Sequence, residues 1–497
     1  MKKLSIILAL GVLAASCEQD LPAAKPSVPE QDKGEFSTVN YSGAYSVFFK
    51  PQVGWVGDVM PFFDPADGKF HIFYLADWRT SGPIHPIWHT ETADFSSYGA
   101  IRAAIANGAS TEQDGVIGTG SFIRGGDNRY YCFYTGERSA SEFPRQGVML
   151  ASSDDLRTWR KEPSFGVLSA SPDYDVNEFR DPQVFYDEAD AQYHLVVTSY
   201  FQGRKALAHY VSADLQSWEL LPEPLYVTDD TFMECPDVFR MGGKWYIVYS
   251  RIEAPRRVVY LFNDDLKDPS GWSDPRPLDG YNYYAAKTAA DTQGNRYLAG
   301  WCQTFEGAYD SSGWGGSLVV HRLTQNADGT LNVSVPEGVA AGYAAEYVGD
   351  EPAASEGVAS TGGGYTVPAS GSVTFGRMPS ALHVRVDVAA GPQAEFGFAF
   401  GAAADRTTCH KLHFAPGAAS LRFLEVSDEG VVELNATTLS VSGTYRIDLY
   451  IEHSVCVCYI DGSRAFTCRI YPMEHNFWTL YADGGSVAFS NLALKTR

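Results

Sequence analysis

Apolar and polar positions along this chain alternate with a period of two in short runs, and one such run comes back five times. An aromatic residue flanked by Gly, Asn or Lys opens an alternating aromatic and β-branched segment. It reads KFHIFY at Phe70, RYYCFY at Tyr130, QYHLVV at Tyr193, KWYIVY at Trp245 and RYLAGW at Tyr297. The openers stand 60, 63, 52 and 52 residues apart. A second element follows four of them: TADFSSY at Asp94, SDDLRTW at Asp155, SADLQSW at Asp214 and NDDLKDPSGW at Asp265. Period-two apolar runs separated by turn residues are strands, and a fixed period marks a repeat architecture. A period of about 50–60 residues suits a four-stranded propeller blade with long loops. The pattern therefore predicts a five-bladed β-propeller over residues 44–337, in which inner strands from different blades converge on one axis.

The pattern then changes. A Gly/Ala/Ser-rich stretch over residues 338–364 reads as a linker. From Tyr365 to the end short alternating strands recur, among them LHVRVDV, EFGFAF, YRIDLYI and VCVCYI, with an Asp461-Gly462 hairpin signal after the last. Many short strands without helical periodicity predict a β-sandwich over 365–497. The expected fold class is thus all-β, a five-bladed propeller followed by a C-terminal sandwich. A length of 497 residues agrees with two domains.

Charge narrows the choice of partner. A net charge of -22 without a basic stripe excludes nucleic acid as a ligand. At the N-terminus Lys2 and Lys3 precede an apolar run that ends LAASC, the pattern of a bacterial lipoprotein signal. Residues 1–17 are expected to be that signal, with Cys17 lipidated, and residues 18–43, Pro-rich and polar, a flexible tether. This places the protein on a bacterial cell envelope, anchored through lipid to the outer membrane on its periplasmic or surface face. The seven other cysteines lie in apolar strand runs without metal-ligand spacing and read as buried thiols.

Three acids stand in unusual company. Asp58 lies in GWVGDVMPFFD before the first repeat, Asp181 in EFRDPQVFYD before the third and Glu234 in FMECPDVFR before the fourth. Each precedes its strand opener by a similar distance, which predicts equivalent positions on the innermost strands. Two carboxylates facing across a pocket are what glycoside hydrolysis needs, one ionised to attack and one protonated to release the leaving group. Turn capping would account for one such acid. It accounts poorly for three, because a buried carboxylate is unfavourable unless paired or functional.

These motifs resemble glycoside hydrolase family 32, the invertase, inulinase and levanase family. Trp55 to Asp58 resembles its Trp-Met-Asn-Asp motif, and Trp88-His89 its Trp-Gly-His block. Thr119-Gly120-Ser121 and Tyr134-Thr135-Gly136 match two further motifs, and Arg180-Asp181-Pro182 and Glu234-Cys235-Pro236 are identical to the family's own. Asn282-Tyr283-Tyr284-Ala285 and Gly300-Trp301 resemble the last two. The resemblance implies Asp58 as nucleophile, Glu234 as acid/base and Asp181 as the acid that holds the fructosyl ring. It implies substrate contacts at Trp55, Trp88, Ser121, Arg180, Asn282, Tyr284 and Trp301, with packing the other reading for Trp301. It departs from the family at Gly57, where an Asn contacts the sugar, at Leu75 in place of Gln and at Asn282 in place of Asp.

The reaction implied is retaining, exo-acting β-fructoside hydrolysis of fructans, fructo-oligosaccharides or sucrose, an oligo- or polysaccharide substrate. It needs no metal or organic cofactor. A five-bladed glycosidase of other specificity, such as an arabinofuranose-releasing enzyme, and a non-catalytic sugar-binding lipoprotein are the alternatives. Enclosure near Phe232 and Met233 is expected to raise the pKa of Glu234, leaving Asp58 ionised and Asp181 charged beside Arg180. The sequence does not set the oligomeric state.

Overall fold

The structure is a computed structural model that describes residues 45–51, 54–76, 85–138, 144–304, 314–401, 408–441, 443–470 and 477–497. Cys17 and the 18–43 tether lie outside the described residues. Five antiparallel sheets follow one another along residues 57–334, each built on four consecutive strands, with a short extra strand on the third. Their first strands are Gly57–Asp64, Val116–Arg124, Tyr174–Asp187, Met233–Met241 and Tyr283–Ala290. Each packs on the first strand of the next sheet, and the fifth packs back on the first. That ring is the axis of a five-bladed propeller, as the repeat predicts. The aromatic repeat segments are the second strands, Lys69–Leu75, Tyr130–Glu137, Gln192–Phe201, Lys244–Arg251 and Arg296–Gln303. They run nearly continuously buried because both faces meet neighbouring blades. Phe49 and Val56 clasp the ring shut: Val56 exchanges backbone bonds with Gly316, and Leu318 donates to the carbonyl of Phe49.

An innermost strand leaves one backbone edge without a strand partner, and those amides need acceptors. Side chains of the preceding blade supply them. Val184 N–H donates to Ser121 Oγ at 2.9 Å, Val238 N–H to Gln183 Oε1 at 3.1 Å and Thr288 N–H to Asp237 Oδ2 at 2.9 Å. These bonds fix each blade to the next close to the axis.

The C-terminal region forms two large antiparallel sheets over one apolar core, which includes Phe375, Phe398, Leu449 and Trp478. All seven described cysteines are buried thiols. The reading of 338–364 as a linker is corrected. Residues Glu337–Gly342 form a short helix, Ala345–Glu346 pair with Lys495 and Thr496, and Ala353–Ala354 pair with Val373 and Thr374. Parts of the segment thus lie as short strands on the sandwich.

The two domains share buried polar contacts. Asp279 of the propeller accepts from the amide and hydroxyl of Thr467 at 2.8 and 2.5 Å and meets His321 at 3.1 Å. Arg469 of the sandwich donates to the carbonyls of Cys302 and Gln303, at 2.8 Å each. Glu452 accepts from the amides of Ser46, Val47 and Phe48, each at 2.9 Å.

Candidate active site

Every innermost strand breaks register at the same level. The irregularities fall at Gly57–Met60, Ile117–Gly120, Arg180–Gln183, Glu234–Asp237 and Tyr284–Lys287. A bulge inserts an unpaired residue and re-aims its side chain. Four of the bulged residues adopt left-handed backbone: Asp58 (φ 30°), Asp181 (φ 59°), Cys235 (φ 51°) and Ala285 (φ 49°). Asp58 and Asp181 therefore share one register. Glu234 does not, which corrects the expectation of three equivalent positions. It stands one residue earlier, in register with Gly57, Arg180 and Tyr284.

That one-residue offset gives the three acids different surroundings. Asp181 is 5% exposed; its Oδ2 accepts from Cys235 N–H at 2.9 Å, and its own N–H donates to Thr135 Oγ1 at 2.8 Å. Burial raises its pKa, while the charge of Arg180 pulls the other way. Glu234, with a side chain 20% exposed, accepts from Arg180 Nη2 at 3.0 Å and from the Tyr284 hydroxyl at 2.8 Å. The guanidinium of Arg180 also meets Glu178 and lies 4.4 Å over the ring of Phe232.

Asp58 is pushed up to about 7, first by burial and then by the charges of Asp181 and Glu234. The indole N–H of Trp301 opposes that rise without completing a hydrogen bond to any group among the described residues. The expectation of an ionised Asp58 is thus corrected: burial and two neighbouring carboxylates raise it. Arg180 makes its ion pair with Glu234, not with its chain neighbour Asp181.

The other predicted contacts divide. Arg180, Tyr284 and Trp301 are brought to the carboxylates, with the rings of Tyr284 and Trp301 5.5 Å apart. Trp55 is buried beneath the ammonium of Lys50, 4.2 Å from its ring. The indole N–H of Trp88 donates to the carbonyl of Ala76 at 3.2 Å, and its ring joins the propeller core. Asn282 is buried just before the fifth inner strand, its carbonyl accepting from Gln303 N–H at 3.0 Å. Ser121 lies elsewhere along the axis. Its hydroxyl joins the second and third blades, and it lines a cavity of about 460 Å³ at the hairpin end of the inner strands, with Gln183, Asp237 and Lys287.

Sequence reasoning missed two contributors. Thr135 holds the amide of Asp181, and only the Tyr-Thr-Gly match hinted at it. Trp314 fills the space beside Gly57: a Cβ there would lie 2.3 Å from the Trp314 ring. The Trp314 ring stacks on His85 at 4.2 Å. The missing Asn side chain is replaced by an aromatic wall from the fifth blade, which no local pattern announces.

The Glycosyl hydrolases family 32 N-terminal domain profile matches residues 48–333. The chain belongs to glycoside hydrolase family 32. A second profile of the family, the BT1760-like C-terminal domain, matches residues 329–494. Among curated relatives of this family 32 chain, sucrose-6-phosphate hydrolase of Staphylococcus xylosus is 26% identical over 318 residues, 59% of this chain and 62% of that protein. Fructan 1-exohydrolase of Bromus pictus is 25% identical over 312 residues, 55% of this chain and 50% of that one. The chain spans about half to three fifths of the length of the curated relatives it matches. The solved structure of fructan 1-exohydrolase IIa from Cichorium intybus superposes with a TM-score of 0.71 at 17% identity, covering 94% of this chain and 98% of that one. Exo-inulinase of Aspergillus awamori also gives 0.71 at 17% identity, covering 92% and 98%. These two likenesses establish a shared fold.

Proposed function

We propose that this family 32 protein is a retaining β-fructosidase acting on fructans, fructo-oligosaccharides or sucrose. The observation that carries the reading is the convergence of Asp58, Asp181 and Glu234 on one bulge level of the axis, in three distinct environments. A carboxylate oxygen of Asp58 attacks the anomeric carbon as the bond to the leaving oxygen breaks, and Glu234 gives that oxygen its proton. Glu234 then takes a proton from water, whose oxygen attacks the same carbon and frees Asp58. Asp181, fixed from both sides by Cys235 and Thr135, accepts from ring hydroxyls as positive charge develops.

The nucleophile must be ionised to attack, and burial beside Asp181 and Glu234 holds the pKa of the Asp58 carboxyl up at about 7. Sugar hydroxyls donating to Asp58 would stabilise its anion. The test is to follow the anomeric configuration of the first product by NMR and to repeat the assay with Glu234→Gln. A β-configured first product and a loss of at least a hundredfold support the reading. An inverted product or full activity of the variant overturns it.

Lipidation of Cys17 belongs to the same proposal and rests on the LAASC sequence. Cys17→Ser should move the protein from membrane to soluble fraction, and an unchanged distribution would remove the anchor.

A further inference from the structure

We propose that the cavity on the propeller axis is a second ligand site, built for a small oxyanion that also carries a hydroxyl. It is separate from the site of Asp58 and Glu234. Its walls are the stretches of inner strand that follow the bulges toward the hairpins, residues 60–63, 183–188, 237–240 and 287–290, closed by Ser121 of the second blade. The three acids of the proposed catalytic site stand within or before those bulges. A volume of about 460 Å³ lies within the range of small-molecule sites, roughly 300–1,000 Å³.

Lys287, Arg296 and Asp237 meet in this cavity without pairing. Lys287 is 2% exposed, and its ammonium donates to the carbonyl of Pro236 at 2.9 Å. Arg296 donates through Nη1 to Thr288 Oγ1 at 2.6 Å, and its guanidinium lies 4.0 Å over the ring of Phe239. Asp237 accepts through Oδ2 from the amide and hydroxyl of Thr288, at 2.9 and 2.6 Å. Neither cation forms an ion pair with a carboxylate among the described residues. Charges taken out of water are unfavourable unless paired. Desolvation accordingly pulls the pKa of Arg296 down to about 10, with Asp237 opposing the fall. Two cations against one carboxylate leave this end of the axis short of negative charge. The acids nearer the hairpins do not make up the difference. Asp187 keeps its carboxylate within 4.8 Å of the ligating atoms of Asp190 and His194, and Glu188 is exposed at the rim beside an equally exposed Arg240. A phosphate or carboxylate group would accept from both cations, the guanidinium offering a planar fork and the ammonium a point charge. Asp237 Oδ1 accepts from no group among the described residues, so a hydroxyl of the same ligand finds its acceptor there. Hydrogen phosphate and a hydroxylated carboxylate both carry that hydroxyl. An occupant would tie the fourth blade to the fifth beneath the bulges of Glu234 and Tyr284, and so stabilise the folded state by mass action.

The experiment titrates the full-length protein with inorganic phosphate and with gluconate, at fixed ionic strength, by calorimetry and by thermal unfolding. At least one of the two should bind saturably, one per chain, with a Kd of about 1 mM or tighter and a rise in Tm that follows the same constant. Binding of phosphate alone or of gluconate alone supports the site and assigns the group it takes. Arg296→Gln and Lys287→Met should each weaken that binding about tenfold or more. Arg296→Gln, at the half-buried position, is the variant expected to keep the wild-type circular dichroism. The absence of saturable binding to wild type at about 10 mM of either probe overturns the inference. Binding that persists unweakened in Arg296→Gln overturns it as well. So does an equal rise in Tm with sodium chloride, which would reduce the effect to general screening. A rise in Tm with fructose and with neither anion would make the cavity a neutral-sugar site instead.

Discussion

Replacing the proposed nucleophile should stabilise the folded protein, and only above a definite pH. The carboxyl of Asp58 ordinarily titrates at 3.8 and is pushed to about 7 by burial and by two neighbouring carboxylates. Its folded pKa lies above its unfolded one. Between those two values the folded protein holds a proton that the unfolded chain has released, so stability falls as pH rises through the window and stays low above it. A shift of about 3 units at 1.36 kcal/mol each amounts to roughly 4 kcal/mol, an upper bound because a real site relaxes around the charge. Asp58→Asn keeps the shape of the protonated acid and never ionises. Chemical or thermal unfolding of wild type and variant, followed through the propeller tryptophans from pH 4 to pH 8.5, gives the difference directly. The variant should match wild type near pH 4 and exceed it by 2–4 kcal/mol (on the order of that linkage) at pH 8, while turnover is abolished throughout. A difference independent of pH, or a wild type more stable at pH 8, would refute the assignment of Asp58 as the desolvated acid. The expected gain is that of a site whose function is bought with stability.

Three further outcomes follow from the same geometry. The rate of fructoside hydrolysis should rise through an acidic limb near pH 7, where the proposed nucleophile Asp58 ionises, and Asp181→Asn should move that limb to lower pH by removing a charge that raises Asp58; an unmoved limb in the residual activity would disconnect the two acids. Gly57→Asn, which restores the residue usual in family 32, should lower activity at least tenfold because its Cβ would lie 2.3 Å from the Trp314 ring, and Gly57→Asn with Trp314→Ala should recover part of the loss; wild-type kinetics in the single variant would show that the ring moves aside freely. Asp279→Ala strips acceptors from Thr467 and His321 at the domain boundary and should lower stability by about 3 kcal/mol, read as an earlier unfolding transition, and an unchanged transition would mean the domains hold together without it.

The propeller was legible because each blade repeats one alternating second strand, and both faces of that strand are buried alike in every blade. The site was legible to within one residue, and hairpin length explains the discrepancy. Asp58 and Asp181 lie 12 residues before Phe70 and Tyr193, and Glu234 lies 11 before Trp245. The first and third hairpins turn through residues 65–68 and 188–191, whereas the fourth turns at Gly242-Gly243 alone. Its turn is two residues shorter, so the true counterpart of Asp181 is Cys235, and near-equal spacing concealed the offset of Glu234. Trp314 was not legible, since it meets the site across a blade boundary and sits in no periodic run. The strand Ala345–Glu346 was missed for a related reason: its partners at Lys495 and Thr496 lie some 150 residues away along the chain.

What separates the two acids is therefore a backbone irregularity. In a regular strand, neighbours along the chain point to opposite faces, and an acid one residue out of step would point away from the axis. The bulge at Glu234–Asp237 absorbs that step. It leaves Cys235, and not the acid, in left-handed backbone, with its amide donating to Asp181. Glu234 is left in ordinary register where Arg180 and Tyr284 reach it, while Asp58 occupies the strained, buried position itself. Strain of about 1–3 kcal/mol per left-handed non-glycine residue persists only where the surrounding structure enforces it. Here the enforcing element is the closed ring of five inner strands. Acids that all stood at the left-handed position of this shared bulge would meet the same surroundings. One acid displaced by one residue gives the pair two environments, which is what a nucleophile and a proton donor require.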